Sequence, residues 1–237
     1  MGFFGPLSVR PDLWDRGIAR RLLDPVMERF VTWRTTHTGL FTFAQSAKHV
    51  ALYGKYGFYP RFLTTIMTRG IGSVRADGWT TYSSLGEAEQ RAVLARCRAL
   101  TSGLYDGLDV TDEILAVAAQ GLGDTVLLSR HDELLGLAVC HVGAGSEAGS
   151  GTCFVKFGAV RAGAGAAELD LLLASCESFG ASRSATALVA GTNLAREPAY
   201  RRMIAGGFRT VIQGIAMHRP NEPGYSRPDV FALDDWR

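Results

Sequence analysis

The sequence has few cysteines and no pattern that would use them together. Cys97, Cys140, Cys153 and Cys176 are scattered, with no Cys-x-x-Cys pair and no histidine at metal-ligand spacing. Most of them lie among apolar residues, which favours buried free thiols over a disulfide or a metal site. We therefore expect no bound metal and a reducing compartment.

Long apolar runs and a strong charge of either sign are also missing. No run of about 18 apolar residues could span a bilayer, and residues Met1–Pro6 lack the basic segment and apolar core of a signal peptide. The net charge of +2 gives no global field to attract nucleic acid or an anionic membrane. No Gly-Lys-Ser/Thr sequence is present, which argues against a nucleotide-binding phosphate loop. These absences favour a cytoplasmic protein that binds neither nucleic acid nor membranes.

The sequence does contain short apolar strands that alternate with amphipathic helices, which is typical of a mixed α/β fold. Phe3–Val9 is predicted as the first strand. Apolar residues at steps of four predict one face of the next helix: Ile18, Leu22, Val26 and Phe30. Pro25 should kink or restart that helix. The tail Pro220–Arg237 is rich in proline and aspartate and is predicted to wrap over the surface.

The order of strands and helices indicates an internal repeat. Strand, loop, helix, strand, helix and strand follow one another twice, over residues 3–68 and 152–218. We predict a partial first domain at 1–71, a linker at 72–78 and a second domain at 79–237. Only the second copy has helices and a hairpin in front of it. The first copy therefore lacks its leading strands, and we expect an N-terminus truncated relative to the full fold.

One segment carries most of the functional information. A strand ending at Val9 leads through a loop to Gly17 and Ala19, which are small where the loop turns into a helix. The free N–H groups and positive dipole end of that helix form a site for an anion. Arg16, Arg20 and Arg21 add positive charge around the same point.

Taken together, Val-x-Pro, Gly17-Ile18-Ala19 and Leu22-Leu23 resemble the acetyl-CoA pyrophosphate loop of the GNAT acetyltransferase superfamily. That loop usually begins with Gln or Arg, where this sequence has Trp14. The resemblance implies a GNAT-like mixed-sheet fold, with Arg16, Gly17, Ile18, Ala19 and Arg20 at the diphosphate. It also implies that Leu7, Ser8 and Val9 present main-chain groups to the pantetheine arm, splayed from the strand Leu40–Phe43.

A second match lies where the family has one. Leu52-Tyr53-Gly54-Lys55-Tyr56-Gly57-Phe58 is similar to the family's Leu-Tyr-x-Lys-x-Gly-Phe. The resemblance implies that Tyr53 protonates the departing thiolate, a role that suits a phenol because it is neutral at working pH. Ser46 stands seven residues earlier, where the family often has Asn. Taken alone, Tyr53 would be a packed aromatic residue.

The histidines have plainer interpretations. His37 is predicted to be solvated in a connecting turn, whereas His49, four residues before Tyr53, could line the site. His131 and His141 flank the predicted hairpin, and hairpin polarity explains them better than an acceptor site does.

The second copy is expected to have an altered cofactor site. Val160 lies only three residues before Gly163, so its loop is about five residues shorter than the first one. Asn193 and Tyr200 repeat the spacing of Ser46 and Tyr53. We therefore favour a structural role for the second copy.

These features predict an N-acetyltransferase that uses acetyl-CoA as co-substrate and an amine as acceptor. The alternative is a non-catalytic tandem protein that senses acyl-CoA or acts as a scaffold. The identity of the acceptor and the general base stay open, and a homodimer is compatible with the sequence.

Overall fold

The computed structural model describes residues 1–72 and 76–236, which form a mixed α/β structure with six helices and ten strands. The helices are α1 (Ile18–Thr32), α2 (Ala47–Gly54), α3 (Glu87–Leu104), α4 (Thr111–Gln120), α5 (Ala166–Ser182) and α6 (Glu197–Ala205). The strands are β1 (Gly2–Phe3), β2 (Thr38–Thr42), β3 (Tyr59–Gly70), β4 (Trp79–Thr81), β5 (Gly123–Arg130), β6 (Glu133–Gly143), β7 (Gly149–Val160), β8 (Ala187–Asn193), β9 (Arg209–Arg219) and β10 (Ala232–Asp234). Part of the predicted linker, residues 73–75, lies outside the described residues.

The chain divides into two compact units, and neither is a continuous segment. Unit 1 holds Met1–Arg61, Gly214–Pro223 and Trp236, and unit 2 holds Phe62–Gln213 and Gly224–Asp235. The predicted domains 1–71 and 79–237 remain a prediction, as does the repeat of two copies.

Unit 1 is a small sheet with two helices. β1 runs parallel to β2, and β2 pairs antiparallel with residues 215–219 of β9. Apolar side chains from α1, α2, β2 and β9 share one core. The buried members are Leu23, Phe30, Leu40, Tyr53, Phe58 and Met217. This core fixes α1 and α2 against the same small sheet.

Helix α1 differs from its prediction in two ways. The core face runs through Leu23, Val26, Met27 and Phe30, whereas Leu22 is 45% exposed. The helix also continues through Pro25 without a restart. A proline removes one backbone hydrogen bond, and apolar packing on both sides of Pro25 holds the helix together.

The predicted strand Phe3–Val9 is shorter in the structure. β1 ends at Phe3, and one more bond runs from the Phe4 N–H to the Gly39 carbonyl at 3.3 Å. Pro6 has no N–H with which to continue the ladder. Residues 5–9 therefore run as irregular chain toward a short 3-10 turn at Pro11–Leu13.

Unit 2 is built on a mixed sheet. Its strands follow the order β3, β8, β7, β6, β5 and β4, and within the described residues β7 and β8 are the one parallel pair among them. The predicted hairpin is confirmed, with His131 and Asp132 at positive φ between β5 and β6. The buried core joins β5–β8 to α5 and α6.

The predicted surface wrap of the tail is wrong. β10 pairs antiparallel with β7, and Ala232 and Leu233 are fully buried. Ala232, Leu233 and Asp234 form a short strand despite the prolines and aspartates that precede them. None of the helices within residues 1–72 and 76–236 is long and apolar enough to cross a membrane.

Candidate active site

The predicted pyrophosphate loop lies in unit 1 and ends at an uncapped helix. Gly17 is the N-cap residue of α1 and has a φ of 70°, which favours glycine. No side chain caps the helix, and its first turn carries no acidic residue. A Cβ added at Gly17 would meet no heavy atom within 4 Å, so the space in front of the helix is open.

Free hydrogen-bond donors point into that open space. The N–H of Arg21 donates to the Gly17 carbonyl at 3.2 Å. The preceding amides, of Ile18, Ala19 and Arg20, have no acceptor among the described residues, as expected for a first helical turn. The positive end of the helix dipole adds to the attraction for an anion at this point.

The arginines around the helix end are free to add charge. Arg16, Arg20 and Arg21 are all exposed. None of the three forms an ion pair with a carboxylate in the part of the chain that the structure describes. A diphosphate here would therefore not compete with an existing salt bridge.

Trp14 ties the loop to the preceding chain. Its indole Nε1 donates to the Val9 carbonyl at 2.8 Å. Lys48, from α2, lies over the Trp14 ring at 5.2 Å and pairs with Asp15 at 2.9 Å. These contacts hold the loop against the start of α2.

The stretch predicted to meet the pantetheine arm has unpaired backbone. The N–H groups of Leu7, Ser8 and Val9 have no partner among the described residues. Leu7 packs against the unit 1 core, and Ser8 is exposed. The chain therefore offers main-chain donors in this stretch.

Tyr53 is buried in the same unit. It lies on α2 with 5% of its surface exposed, and its ring packs edge-on against Phe4 at 5.9 Å. Burial raises the pKa of Tyr53, so the phenol stays protonated at neutral pH. No described residue hydrogen-bonds its hydroxyl group, which leaves that proton available to a ligand.

Tyr56 fixes the position of α2 relative to α1. Its hydroxyl group donates to the Asp24 carboxylate at 2.7 Å and lies 3.2 Å from the Arg20 carbonyl oxygen. Desolvation raises the pKa of Tyr56, and the hydrogen bond to Asp24 raises it further. The end of α2, which follows Tyr53, is thereby joined to the first turns of α1.

Ser46 and His49 lie at the start of α2. Ser46 is the N-cap residue, although its side chain makes no capping bond. His49 is exposed and stacks against Tyr53 with the ring centres 6.5 Å apart. Both residues lie within seven positions of Tyr53, Ser46 at the N-cap of α2 and His49 in its first turn.

Helix α5 of unit 2 has a different N-terminus from that of α1. At α5 the Glu168 carboxylate accepts a hydrogen bond from the Gly165 N–H at 3.0 Å, which forms a capping box. The backbone N–H groups of Gly165 and Glu168 lower the pKa of that carboxyl. A negative charge therefore occupies the position that is open at α1.

Two predictions about histidines are wrong. His37 is fully buried beside His218, with ring centres 4.9 Å apart, rather than solvated. His141 is also buried, 3.8 Å from the Glu113 carboxylate, so hairpin polarity does not explain it. His131 does lie in the exposed turn. His37 directly precedes β2 and packs beside His218 of β9, and His141 belongs to a continuous run of buried residues in β6, so the burial of both depends on neighbouring strands.

Solved structures share this architecture over nearly the whole chain. A candidate acetyltransferase of Pyrococcus horikoshii aligns with 99% of this chain and 70% of its own, with a TM-score of 0.67 and 11% identity. A GCN5-related N-acetyltransferase of Sphaerobacter thermophilus aligns with 91% of this chain and 72% of its own, with a TM-score of 0.56 and 14% identity.

This chain has the fold of the GNAT acetyltransferases. A glucosamine N-acetyltransferase region in a fungal multi-domain β-N-acetylglucosaminidase shares it as well, with a TM-score of 0.63 and 12% identity over 91% of this chain and 29% of that one. No protein-family model matches the sequence, and no curated protein matches it. The GNAT fold predicted from the loop and the Tyr53 motif is confirmed.

Sequence reasoning missed two residues that shape this GNAT-like site. Lys48 has no signal in the sequence, because its contacts with Trp14 and Asp15 depend on how the loop folds back. Tyr56 had a signal, since it belongs to the Leu52–Phe58 motif, and in the structure it lies in the turn that follows α2.

Proposed function

We propose that the chain is an N-acetyltransferase that moves an acetyl group from acetyl-CoA to an amine. The observation that carries the proposal is the open N-terminus of α1, with Gly17 at positive φ and, among the described residues, three amides without an acceptor and three arginines without an ion-pair partner. A diphosphate fits this set of donors and charges. The GNAT fold supports acyl transfer as the reaction class.

The proposed binding mode uses three parts of unit 1. The diphosphate lies at Arg16, Gly17, Ile18, Ala19 and Arg20. The pantetheine arm runs along the unpaired backbone of Leu7, Ser8 and Val9, as the resemblance implies. Ser46 lies at the start of α2, which also carries Tyr53, and lines the site beside the cofactor.

The reaction is a direct attack. The amine nitrogen forms a bond to the thioester carbonyl carbon while both reactants are held in one site, and the carbon–sulfur bond then breaks. Tyr53 donates its proton to the departing thiolate. Water or a backbone carbonyl accepts the proton of the attacking amine. Burial of Tyr53 favours this role because the phenol is neutral before the thiolate forms.

The test is a calorimetric titration of acetyl-CoA into the parent chain and a Gly17→Asp variant. Aspartate tolerates positive φ better than most residues, and it would place a carboxylate before α1, as Glu168 does at α5. We expect the parent to bind and the variant to bind about 100-fold more weakly or not at all.

A matched control adds the same charge elsewhere. Gly145 lies in an exposed loop of unit 2, and a Cβ there would meet nothing within 4 Å. Gly145→Asp should therefore bind like the parent. Equal binding by all three chains would contradict the proposed site, and no binding by the parent would contradict the proposed co-substrate.

The alternative is a non-catalytic protein that binds acyl-CoA as a signal or acts as a scaffold. The specific observation in its favour is Trp14, which stands where the family has Gln or Arg and hydrogen-bonds Val9. Turnover on a panel of amines separates the two functions. Release of free CoA that depends on an amine supports the enzyme, whereas binding without release supports the sensor.

A further inference from the structure

The segment Phe231–Asp235 lies in a gap of the unit 2 sheet. β7 and β8 are parallel partners only at Thr152–Val155 and Ala187–Ala190. Beyond those residues each strand continues, but β7 pairs with β10 instead. Phe157, Gly158 and Ala159 face Asp234, Leu233 and Ala232, and the Val160 N–H donates to the Phe231 carbonyl at 3.1 Å.

Strand edges locate the segment between β7 and β8. One edge of β7 at residues 157–160 is occupied by β6, which pairs with it through Gly136–Val139. β10 must therefore take the opposite edge, which faces β8. The β8 residue Gly191 confirms this, since a Cβ added there would lie 2.7 Å from the Asp234 carbonyl oxygen and 2.6 Å from the Asp235 Cβ.

Buried contacts anchor the segment. The Arg196 guanidinium, which is fully buried at the start of α6, forms an ion pair with Asp234. The same guanidinium lies over the Tyr225 ring at 5.3 Å. Tyr225, Val230 and Leu233 are buried as well. The segment is thus held by backbone pairing, apolar burial and a charge pair.

The corresponding stretch of unit 1 carries no such strand. β1 and β2 are parallel, as β7 and β8 are, and the chain beyond β1 leads to Leu7, Ser8 and Val9. Those three amides have no partner among the described residues, whereas Phe157–Ala159 are paired on both edges and buried.

We infer that residues Phe231–Asp235 fill, in unit 2, the cleft that the proposed function assigns to the pantetheine arm in unit 1. The segment thereby blocks that cleft to a pantetheine arm. Glu168 likewise occupies the helix N-terminus at which a diphosphate would bind. The chain therefore has one acyl-CoA site, in unit 1. The assignment of the cleft to a pantetheine arm rests on the proposed function, whereas the position of the segment rests on the pairing of β10 with β7.

The experiment combines hydrogen exchange with titration on the full chain. Peptides that cover residues 230–235 should exchange about 100-fold more slowly than an unstructured peptide, because their amides are buried and paired. Saturating acetyl-CoA should not change that rate. Acetyl-CoA should bind at one site per chain, and Gly17→Asp should abolish it.

The variant Gly191→Ala should displace the segment from β8, so it gives the exchange rate of the released segment. The Cβ of Gly191→Ala collides first with Asp234 and Asp235, so exchange at 230–235 should rise at least about tenfold. Gly70→Ala is the control, because a Cβ on that strand residue meets nothing within 4 Å. If Gly191→Ala does not fold, the exchange rate at 230–235 and the number of acetyl-CoA sites in the parent chain still test the inference.

The outcomes separate this inference from the proposed function. Two sites per chain, binding that survives Gly17→Asp, or faster exchange at 230–235 with acetyl-CoA would each overturn the inference. If the parent binds no acetyl-CoA, the proposed function fails. Slow exchange at 230–235 would then still support closure of the cleft, and exchange as fast as in an unstructured peptide would overturn it.

Discussion

The Trp14 indole nitrogen donates a hydrogen bond to the Val9 carbonyl oxygen at 2.8 Å. This bond closes the loop on itself just before α1 begins. It joins the end of the Leu7–Val9 stretch to the loop that precedes α1. A tryptophan can therefore stand where the family has Gln or Arg and still shape the loop.

Removal of that bond should weaken acetyl-CoA binding. Trp14→Phe keeps an aromatic ring beneath Lys48 but has no donor for Val9. A hydrogen bond of this kind contributes about 1 kcal/mol, so we expect affinity to fall about fivefold. Calorimetric titration measures the change. The control is Trp33→Phe, at an exposed residue on the far end of α1, which should bind acetyl-CoA like the parent. An unchanged affinity of Trp14→Phe for acetyl-CoA would mean that the loop does not need this bond.

Loss of the Tyr53 hydroxyl group should slow turnover without affecting binding. Tyr53→Phe preserves the buried ring and its contact with Phe4 but removes the proton proposed for the thiolate. We expect kcat to fall about 100-fold and the acetyl-CoA affinity to stay the same. Steady-state kinetics and titration together test this.

Tyr59→Phe is the matched control for that experiment. Tyr59 is half-exposed, and its hydroxyl group should be dispensable. A large loss of acetyl-CoA affinity in Tyr53→Phe, rather than of kcat, would show that Tyr53 binds or packs instead of donating a proton.

The buried His37 should make stability depend on pH. Burial, with a further effect of His218, lowers the pKa of His37 from 6.5 to about 4. The folded chain keeps this imidazole neutral, while the unfolded chain takes up a proton below about pH 6.5. The free energy of unfolding should therefore fall as the pH drops from about 6.5 toward 4, by up to about 3 kcal/mol.

Urea denaturation between pH 7 and pH 5 measures this slope. The His37→Asn variant has no titratable group at this position, so its free energy of unfolding should depend less steeply on pH than that of the parent. His131→Asn changes an exposed histidine in the β5–β6 turn and should keep the parent slope. A parent whose stability is flat over this range would contradict a neutral buried His37.

The four cysteines should not react in the folded chain. All are buried free thiols, and burial raises the pKa of Cys97 to about 12. Hydrogen bonds with Cys153 and Cys176, together with burial, raise the pKa of Cys140 well above its usual value. Since the thiolate is the reactive form, a disulfide reagent at pH 8 should label no thiol before unfolding and four afterwards. Gly145→Cys supplies an exposed thiol as positive control. Fewer than four thiols in denaturant would indicate a disulfide.

Local patterns in the sequence were sufficient for the helix and strand order and for the first loop. Gly17 and Ala19 mark the turn into α1, and the Tyr53 motif lies on α2 as the spacing predicts. The hairpin at β5 and β6 follows from two apolar runs joined by the polar turn His131-Asp132-Glu133. Each of these features depends on neighbours within a few positions, which is the range that periodicity reports.

The pairing of the strands and the position of the tail depend on residues that are far apart in the sequence. The sequence identifies β3 and β9 as strands, but nothing local specifies that β3 pairs with β8 or that β9 pairs with β2. Phe231-Ala232-Leu233 is too short to stand out among the prolines and aspartates, so its burial depends on the gap beside β7. The burial of His37 likewise depends on β9.

The discontinuity of unit 1 has a consequence for how the protein is made. The sheet of unit 1 includes residues Gly214–Pro223, which leave the ribosome long after Met1–Arg61. The edge of β2 that pairs with β9 therefore stays unpaired until almost all of the chain has been synthesised. An expressed fragment that stops before β9 should lack this strand and should depend on chaperones or aggregate, even though it contains every residue of the candidate active site.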